Sequence, residues 1–327
     1  MRAFGYTVAR DPAEAVRTAA NTPGSTFVAG GTDLLNLMRD GAEAHDHLID
    51  VNRLKLGDIT AGAGSLRIGA AARMRRVAEH PGVRRDFPVL SEALLASASP
   101  QVRNMASIGG NLLQRTRCGY FRDAASPCNK RVRGSGCPAI TGQNRGHAIL
   151  GGSEHCIATH PSDLAVALTA LDATVRLLGP GGERAVPIAD FYLLPGSTPD
   201  RETAMRPGEL ITRVDVPRTA LAGRSRYLKL RDRATFEFAV VSVAAALRTR
   251  GGVVRDVRLA FGGVGTRPWR DPRVEAALQD RPLTRQSIDE AGRVLVRDAT
   301  SYEGNGFKAE LVQRALMSVL SELGGLR

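Results

Sequence analysis

Apolar positions along the chain switch repeatedly between a helical period and strict alternation, which predicts a mixed α/β (α+β) protein. Asp11, followed by Pro12 and Glu14, opens a helix over 13–20 with Asp as N-cap and Pro in the first turn. Thr22-Pro23-Gly24 ends it. Residues 25–29 read as a short strand running into Gly30-Gly31-Thr32-Asp33, followed by a helix over 34–38 and a strand over 48–51. A new unit starts with alternation over 65–70, a short helix over 74–79 and a longer helix over 89–98 that stops at Ser99-Pro100. Further on come an apolar helix over 162–171, a strand over 173–178, a turn at Gly179-Pro180-Gly181-Gly182 and a strand over 212–216 that halts at Pro217. The last part reads as a separate α/β unit. It has strands over 227–230, 240–248 and 253–261, the last two facing each other across a hairpin turn, then helices over 287–296 and 307–323.

Residues 115–157 break this pattern. They are rich in Gly, Arg, Asn and Ser, poor in aliphatic residues, and a structureless loop of that length needs another organiser. All four cysteines of the chain, Cys118, Cys128, Cys137 and Cys156, lie inside it. The spacing Cys-x9-Cys-x8-Cys-x18-Cys has no Cys-x2–4-Cys pair of the kind zinc sites show. It suits a [4Fe-4S] cluster, which takes four Cys and accepts irregular spacing; zinc, a disulfide and free thiols stay open on spacing alone. Seven basic residues, from Arg115 to Arg145, face only Asp123 and Glu154 in this stretch, a surplus that favours thiolates and a net-negative cluster. His147 and His155 lie in the same loop, where hydrogen bonding is the expected role.

Composition narrows the classes further. The chain has 327 residues with 45 Lys+Arg against 33 Asp+Glu, and only Lys55, Lys130, Lys229 and Lys308 are lysines. The basic residues are scattered without a long run, so no nucleic-acid partner is expected. No stretch approaches the ~20 apolar residues of a membrane-spanning helix. The segment Met1–Tyr6 lacks an apolar signal region, so export would be borrowed from a signal-bearing partner and the compartment, periplasm or cytoplasm, stays open.

Four other motifs carry chemistry. Phe27-Val28-Ala29-Gly30-Gly31-Thr32-Asp33-Leu34 is a strand–glycine–helix junction, and Ser107-Ile108-Gly109-Gly110-Asn111 is a second Gly-Gly turn. Neither has the spacing of a Rossmann or P-loop motif, and each alone is as well read as a plain turn. Two such turns together suit a dinucleotide, whose pyrophosphate needs donors on two sides. Pro161-Ser162-Asp163 stands at the N-cap of an apolar helix, where capping is the plain role and acceptance from sugar or ribityl hydroxyls the functional one. Lys229 is conspicuous in a chain that otherwise writes Arg.

In this order, Ala29-Gly30-Gly31-Thr32, Ser107-Ile108-Gly109-Gly110-Asn111, Pro161-Ser162-Asp163 and Lys229 resemble the FAD-binding subunit of molybdenum hydroxylases, the family of xanthine, carbon monoxide and aldehyde oxidoreductases. The resemblance runs through the C-terminal unit, with Leu259-Ala260-Phe261-Gly262-Gly263-Val264 and Arg267-Pro268-Trp269-Arg270. Most members lack a cysteine loop. The runs Gln114–Phe121, Pro127–Arg131 and Gly134–Cys137 are similar to the branch that carries an extra [4Fe-4S] cluster, the bacterial periplasmic aldehyde oxidoreductases, with hydroxybenzoyl-CoA-type reductases as the competing branch.

The resemblance implies a vanillyl-alcohol-oxidase-type FAD-binding fold in two subdomains, 1–55 and 56–222, plus a C-terminal α/β domain, 223–327. It places the FAD pyrophosphate on Phe27, Val28, Ala29, Gly30, Gly31, Thr32, Asp33, Leu34, Ser107, Gly109, Gly110 and Asn111. It places the sugar or ribityl region on Ser162 and Asp163, and Leu210, Ile211 and Lys229 near the flavin. The four cysteines would ligate the cluster. Asp33 would have to point away from the phosphate. The implied role is electron transfer beside a molybdopterin-binding large subunit and a [2Fe-2S] small subunit, with an external electron acceptor. No residue stands out as a general acid, base or nucleophile, so no catalytic residue is expected in this chain.

Overall fold

The fold is given by a computed structural model that describes residues 1–326. Its first sheet holds β1 (Gly5–Val8), β2 (Ser25–Val28) and β3 (His47–Asp50), all parallel in the order β1-β3-β2. The helix Pro12–Asn21 makes the crossover from β1 to β2. Asp11 caps it by accepting from Glu14 N, and Ala15 and Val16 bury against Ile49 and Val51. β2 therefore delivers the turn 29–33 to the carboxyl edge of a parallel sheet, where such folds place ligands.

The second sheet holds β4 (Ile59–Ala61), β5 (Ser65–Gly69), β6 (Thr174–Gly179), β7 (Gly182–Pro187) and β8 (Leu210–Pro217), antiparallel in the order β4-β5-β8-β6-β7. The third holds β9 (Ser225–Leu230), β10 (Val241–Arg250) and β11 (Val253–Gly262), antiparallel in the order β11-β10-β9. β10 is buried on both faces from Val241 to Leu247. Its odd positions Val241, Val243, Ala245 and Leu247 join the core under helix Phe307–Gly324, while Ala244 and Ala246 join the core of the second sheet and its helices. Small side chains on that second face let helices Pro88–Ala96 and Asp163–Ala170 approach, which locks the C-terminal unit onto the rest.

Several expectations are corrected. The helix expected over 89–98 runs Pro88–Ala96 and ends at Ser97, and Ser99-Pro100 instead opens another, Pro100–Met105, because Ser99 Oγ accepts from Val102 N and Pro takes the first helical position. β1, β4, β7 and helix Pro81–Asp86 are short, with little periodicity to mark them. The segment 115–157 contains a helical turn at Gly119–Arg122, a 3-10 turn at Pro138–Ile140 and isolated bridges from Leu150 to Gly265 and from Ser153 to Cys156. Side chains hold it instead: Arg131 donates to the Tyr120 and Phe121 carbonyls at 2.6 and 2.5 Å, and Asn129 donates to the His155 carbonyl at 3.0 Å. Among the described residues, no helix is long and apolar enough to cross a membrane.

Candidate cofactor sites

The second glycine motif is not a turn: Ile108–Leu112 is a short helix capped by Ser107, which accepts from Gly110 N at 3.2 Å. Two polar side chains and one close approach bring the Gly30-Gly31 turn against the segment that leads into it. Asn52 Nδ2 donates to the Ala29 carbonyl at 2.9 Å, Arg73 Nη2 donates to Asn52 Oδ1 at 2.8 Å, and Arg73 Nη1 donates to the Met105 carbonyl at 2.5 Å. Gly30 packs directly on Met105 and Ala106, so that a Cβ there would collide with the Met105 carbonyl. Gly31 adopts φ +69°, a left-handed conformation that favours glycine.

Between the two glycine motifs lies a cleft of about 710 Å³, the size of a small-molecule or cofactor site. Every residue from Phe27 to Leu34 lines it, as do Ser107, Gly110, Asn111, Asp163 and Lys229. Gly109 stands behind the wall, donating its N–H to the Ala70 carbonyl at 2.8 Å, and a Cβ there would press on the Ala70 methyl at 3.1 Å. Ser162 is also one layer back: its hydroxyl donates to Asn111 Oδ1 at 2.7 Å and accepts from Ala165 N as the helix cap. Leu210 and Ile211 do not line this cleft. They are buried in β8, Leu210 against Ala15, Val16 and Ile49 and Ile211 in the core of the second sheet, because strand alternation turns both away.

Asp163 carries more of its own chain than a sugar-binding acid would. Lys229 Nζ donates to Oδ2 at 2.8 Å, Ser97 Oγ lies 2.9 Å from the same oxygen, and the Tyr227 hydroxyl donates to Oδ1 at 2.6 Å. Burial, then the Asp163 carboxylate, push the Tyr227 phenol well above its ordinary range, which keeps it a donor. Lys229 also donates to the Ala96 carbonyl at 3.1 Å.

Sequence reasoning missed the far wall of the cleft. Arg115, Arg117 and Arg122 reach it from the start of the cysteine segment, and Arg233, Phe236, Glu237 and Phe238 reach it from the loop after β9. Phe236 sits at φ +53°, strained for a bulky residue, and is exposed at the cleft mouth. Asp33 does turn toward protein: Arg117 Nη1 and Arg122 Nη2 donate to its Oδ1 at 2.5 and 2.8 Å, and Arg115 N donates to Oδ2 at 2.8 Å. Burial pushes its carboxyl above the usual range against the pull of these cations. The basic surplus of the segment was legible; its destination was not.

Cys118, Cys128, Cys137 and Cys156 line one pocket, with Phe121, Pro138, Ala139 and Ala158 as apolar wall and Lys130 and His147 at its edge. None forms a disulfide. Burial pushes the Cys118 thiol up to about 11 and also raises Cys137 and Cys156, each further raised by neighbouring cysteines of the set. Among the described residues, no three His, Cys, Asp or Glu side chains converge on a point that could hold one metal ion. His147 Nε2 lies at hydrogen-bond distance, 3.2 Å, from Cys118 Sγ, while the His155 ring makes only a 3.4 Å surface ion-pair contact with Glu154. A cavity of about 200 Å³ separates this pocket from the cleft, sharing Lys130 and Cys156 with one and Arg115 with the other.

A parallel sheet with a glycine cleft at its carboxyl edge, closed by two further units, is a dinucleotide-binding architecture. Residues 2–219 match the FAD binding domain in molybdopterin dehydrogenase, and residues 226–323 match the CO dehydrogenase flavoprotein C-terminal domain. The chain is 51% identical over 324 residues to the aldehyde oxidoreductase FAD-binding subunit PaoB of Escherichia coli (strain K12), with 98% of each chain covered. It is 26% identical over 325 residues to the glyceraldehyde dehydrogenase medium chain of Sulfolobus acidocaldarius, again with 98% of each covered. Among solved structures it is similar to reconstituted CO dehydrogenase from Oligotropha carboxidovorans, with a TM-score of 0.78 at 21% identity, covering 100% of this chain and 99% of that one. The chain belongs to the family of FAD-binding medium subunits of molybdenum hydroxylases. It is thus a subunit of an oxidoreductase, and FAD is its flavin.

Proposed function

We propose that this chain is the FAD- and [4Fe-4S]-carrying electron-transfer subunit of a heterotrimeric, molybdenum-dependent aldehyde oxidoreductase, which turns an aldehyde into a carboxylic acid. The observation that carries the reading is the 51% identity along the whole chain to an FAD-binding subunit of an aldehyde oxidoreductase. The partners are a molybdopterin-binding large subunit and a [2Fe-2S] small subunit, with an external electron acceptor. Substrate chemistry belongs to the large subunit, which fits a chain whose buried Asp163 and Lys229 are consumed by each other.

FAD, when bound, supplies the redox chemistry, and this chain's part is to bind and orient it. The turn in 27–34 and the capped helix start at Ser107, Gly110 and Asn111 form the two sides of the pyrophosphate site, and Lys229 faces the same cleft. Units 1–55, 56–222 and 223–327 then act as the two FAD-binding subdomains and the C-terminal flavoprotein domain.

The donor chemistry supports the cluster: four cysteines free of disulfides line one pocket with an apolar wall, and a [4Fe-4S] cluster takes one thiolate at each of its four irons. We assign Cys118, Cys128, Cys137 and Cys156 as its ligands, with Lys130 offsetting negative charge at the edge.

Anaerobic purification with the partner subunits, followed by assay of flavin, iron, acid-labile sulfide and zinc, tests this reading. The expected result is FAD with equal iron and sulfide, and aldehyde oxidation by the complex but not by the isolated chain. Zinc without iron overturns the cluster assignment, and aldehyde turnover by the isolated chain overturns the subunit role.

A further inference from the structure

Asp33 stands in an awkward place. It directly follows the Gly30-Gly31-Thr32 turn and lines the cleft that takes a dinucleotide, whose pyrophosphate is itself anionic. A carboxylate beside a phosphate in a partly buried site is repelled unless cations intervene.

The cations come from the start of the cysteine segment. Arg117 Nη1 and Arg122 Nη2 both donate to Asp33 Oδ1, and both also donate to the Arg115 carbonyl, at 2.8 and 3.3 Å. Two guanidinium groups thus converge on one carboxylate oxygen, and all three side chains line the cleft. Their summed charge is positive, where Asp33 alone would make it negative. Arg122 Nε donates to the Thr116 carbonyl at 3.0 Å, and the Arg117 guanidinium lies 4.6 Å from the ring centre of Phe238. Arg117 therefore touches the glycine turn, its own segment and the loop after β9 at once.

We propose that Arg117 and Arg122 are part of the dinucleotide-binding site, neutralising Asp33 and leaving a net positive charge toward the bound pyrophosphate. The segment 115–122 then serves the flavin as well as carrying Cys118, and its arginines are positioning residues for the anionic part of the ligand. The inference rests on FAD occupying this cleft and is independent of whether a cluster fills the cysteine pocket.

The test is FAD affinity of the deflavinated complex, followed by flavin fluorescence at low and high salt, with iron measured in the same samples. Arg117→Met with Arg122→Met is expected to weaken FAD binding by on the order of tenfold, the fold-change of a 1.4 kcal/mol coupling between neighbouring charges. Asp33→Asn alone is expected to bind FAD at least as tightly as wild type, and added to the double arginine variant it recovers most of the loss. High salt should narrow the gap between the arginine variant and wild type. Should the double variant fail to fold, Arg122→Lys and Arg122→Gln replace it, with affinity kept by Lys and lost by Gln. FAD affinity unchanged in the arginine variants, or a loss that Asp33→Asn does not recover, overturns the proposal. Wild-type protein that takes up no FAD would instead remove the flavin reading on which it stands.

Discussion

Lys229 Nζ lies 2.8 Å from Asp163 Oδ2 in a contact that joins β9 to the first residue of helix Asp163–Ala170, with both side chains almost fully buried. The pair ties the C-terminal unit to the rest of the chain at the wall of the flavin cleft. A buried pair of this kind is weak as net stabilisation, but removing one partner strands the other charge. Lys229→Met is therefore expected to lower the unfolding free energy by about 3–5 kcal/mol and to reduce bound flavin. Lys229→Met combined with Asp163→Asn should cost less than the two single losses added together, since neither charge is then left alone. Urea unfolding of the three variants checks this, and strictly additive losses would count against the pair.

Cys128→Ser separates the cysteine pocket from the flavin cleft. Cys128 lines the pocket but not the cleft, while the arginines that reach Asp33 are anchored by Thr116 and Arg115. Iron and sulfide are expected to fall to background with FAD retained. Full iron in the variant would reject Cys128 as a ligand, and the absorbance spectrum reads both groups in one sample.

Gly30→Ala tests the close approach of the Gly30-Gly31 turn to the segment before Ser107. The added methyl group meets the Met105 carbonyl, which is held in place by Arg73 and cannot swing aside. The two walls must move apart, at a cost of about 1–3 kcal/mol for overpacking. Flavin released on dilution and thermal unfolding should both report the change, with a larger effect than Gly64→Ala, where a Cβ meets open space. Equal behaviour of the two variants would remove the argument for Gly30.

The local signals at these motifs were strong enough to read from sequence because each is short and contiguous. Phe27–Leu34, Ser107, Gly110, Asn111, Asp163 and Lys229 all reach one cleft, and the four cysteines reach one pocket. What stayed hidden depends on contacts between distant segments. β1 pairs in parallel with β3, with two helices and β2 between them in the chain, and its exposed residues Gly5 and Tyr6 give no apolar rhythm. Arg117 and Arg122 looked like counter-charges for thiolates because they flank Cys118, yet their partner Asp33 is more than eighty residues away. The resemblance implies a place near the flavin for Leu210 and Ile211, but both are buried in cores along β8 instead. Asp163 reads from sequence only as the start of a helix, which does not show that Tyr227 and Ser97 occupy its oxygens.

Lys308 links the C-terminal helix to the cysteine segment and should make stability depend on pH. Its Nζ is fully buried and donates to the His147 and Gly263 carbonyls at 2.9 and 2.7 Å. Burial, with Arg145 adding to it, pulls the amine down from 10.5 to about 7. A neutral amine keeps two N–H groups, one for each carbonyl. Below pH 7 the amine is protonated in both folded and unfolded chains, and its contribution is flat. Above pH 7 the folded chain gives up the proton while the unfolded chain keeps it up to about 10.4. The unfolded state then binds more protons, so stability rises with pH, by up to about 1.4 kcal/mol per pH unit. Lys308→Met removes this rise and leaves both carbonyls without their amine donor. Urea unfolding at pH 7, 8 and 9 should show the gap between wild type and Lys308→Met widening as pH rises. A gap that stays constant over those three values would mean that Lys308 remains charged inside the protein.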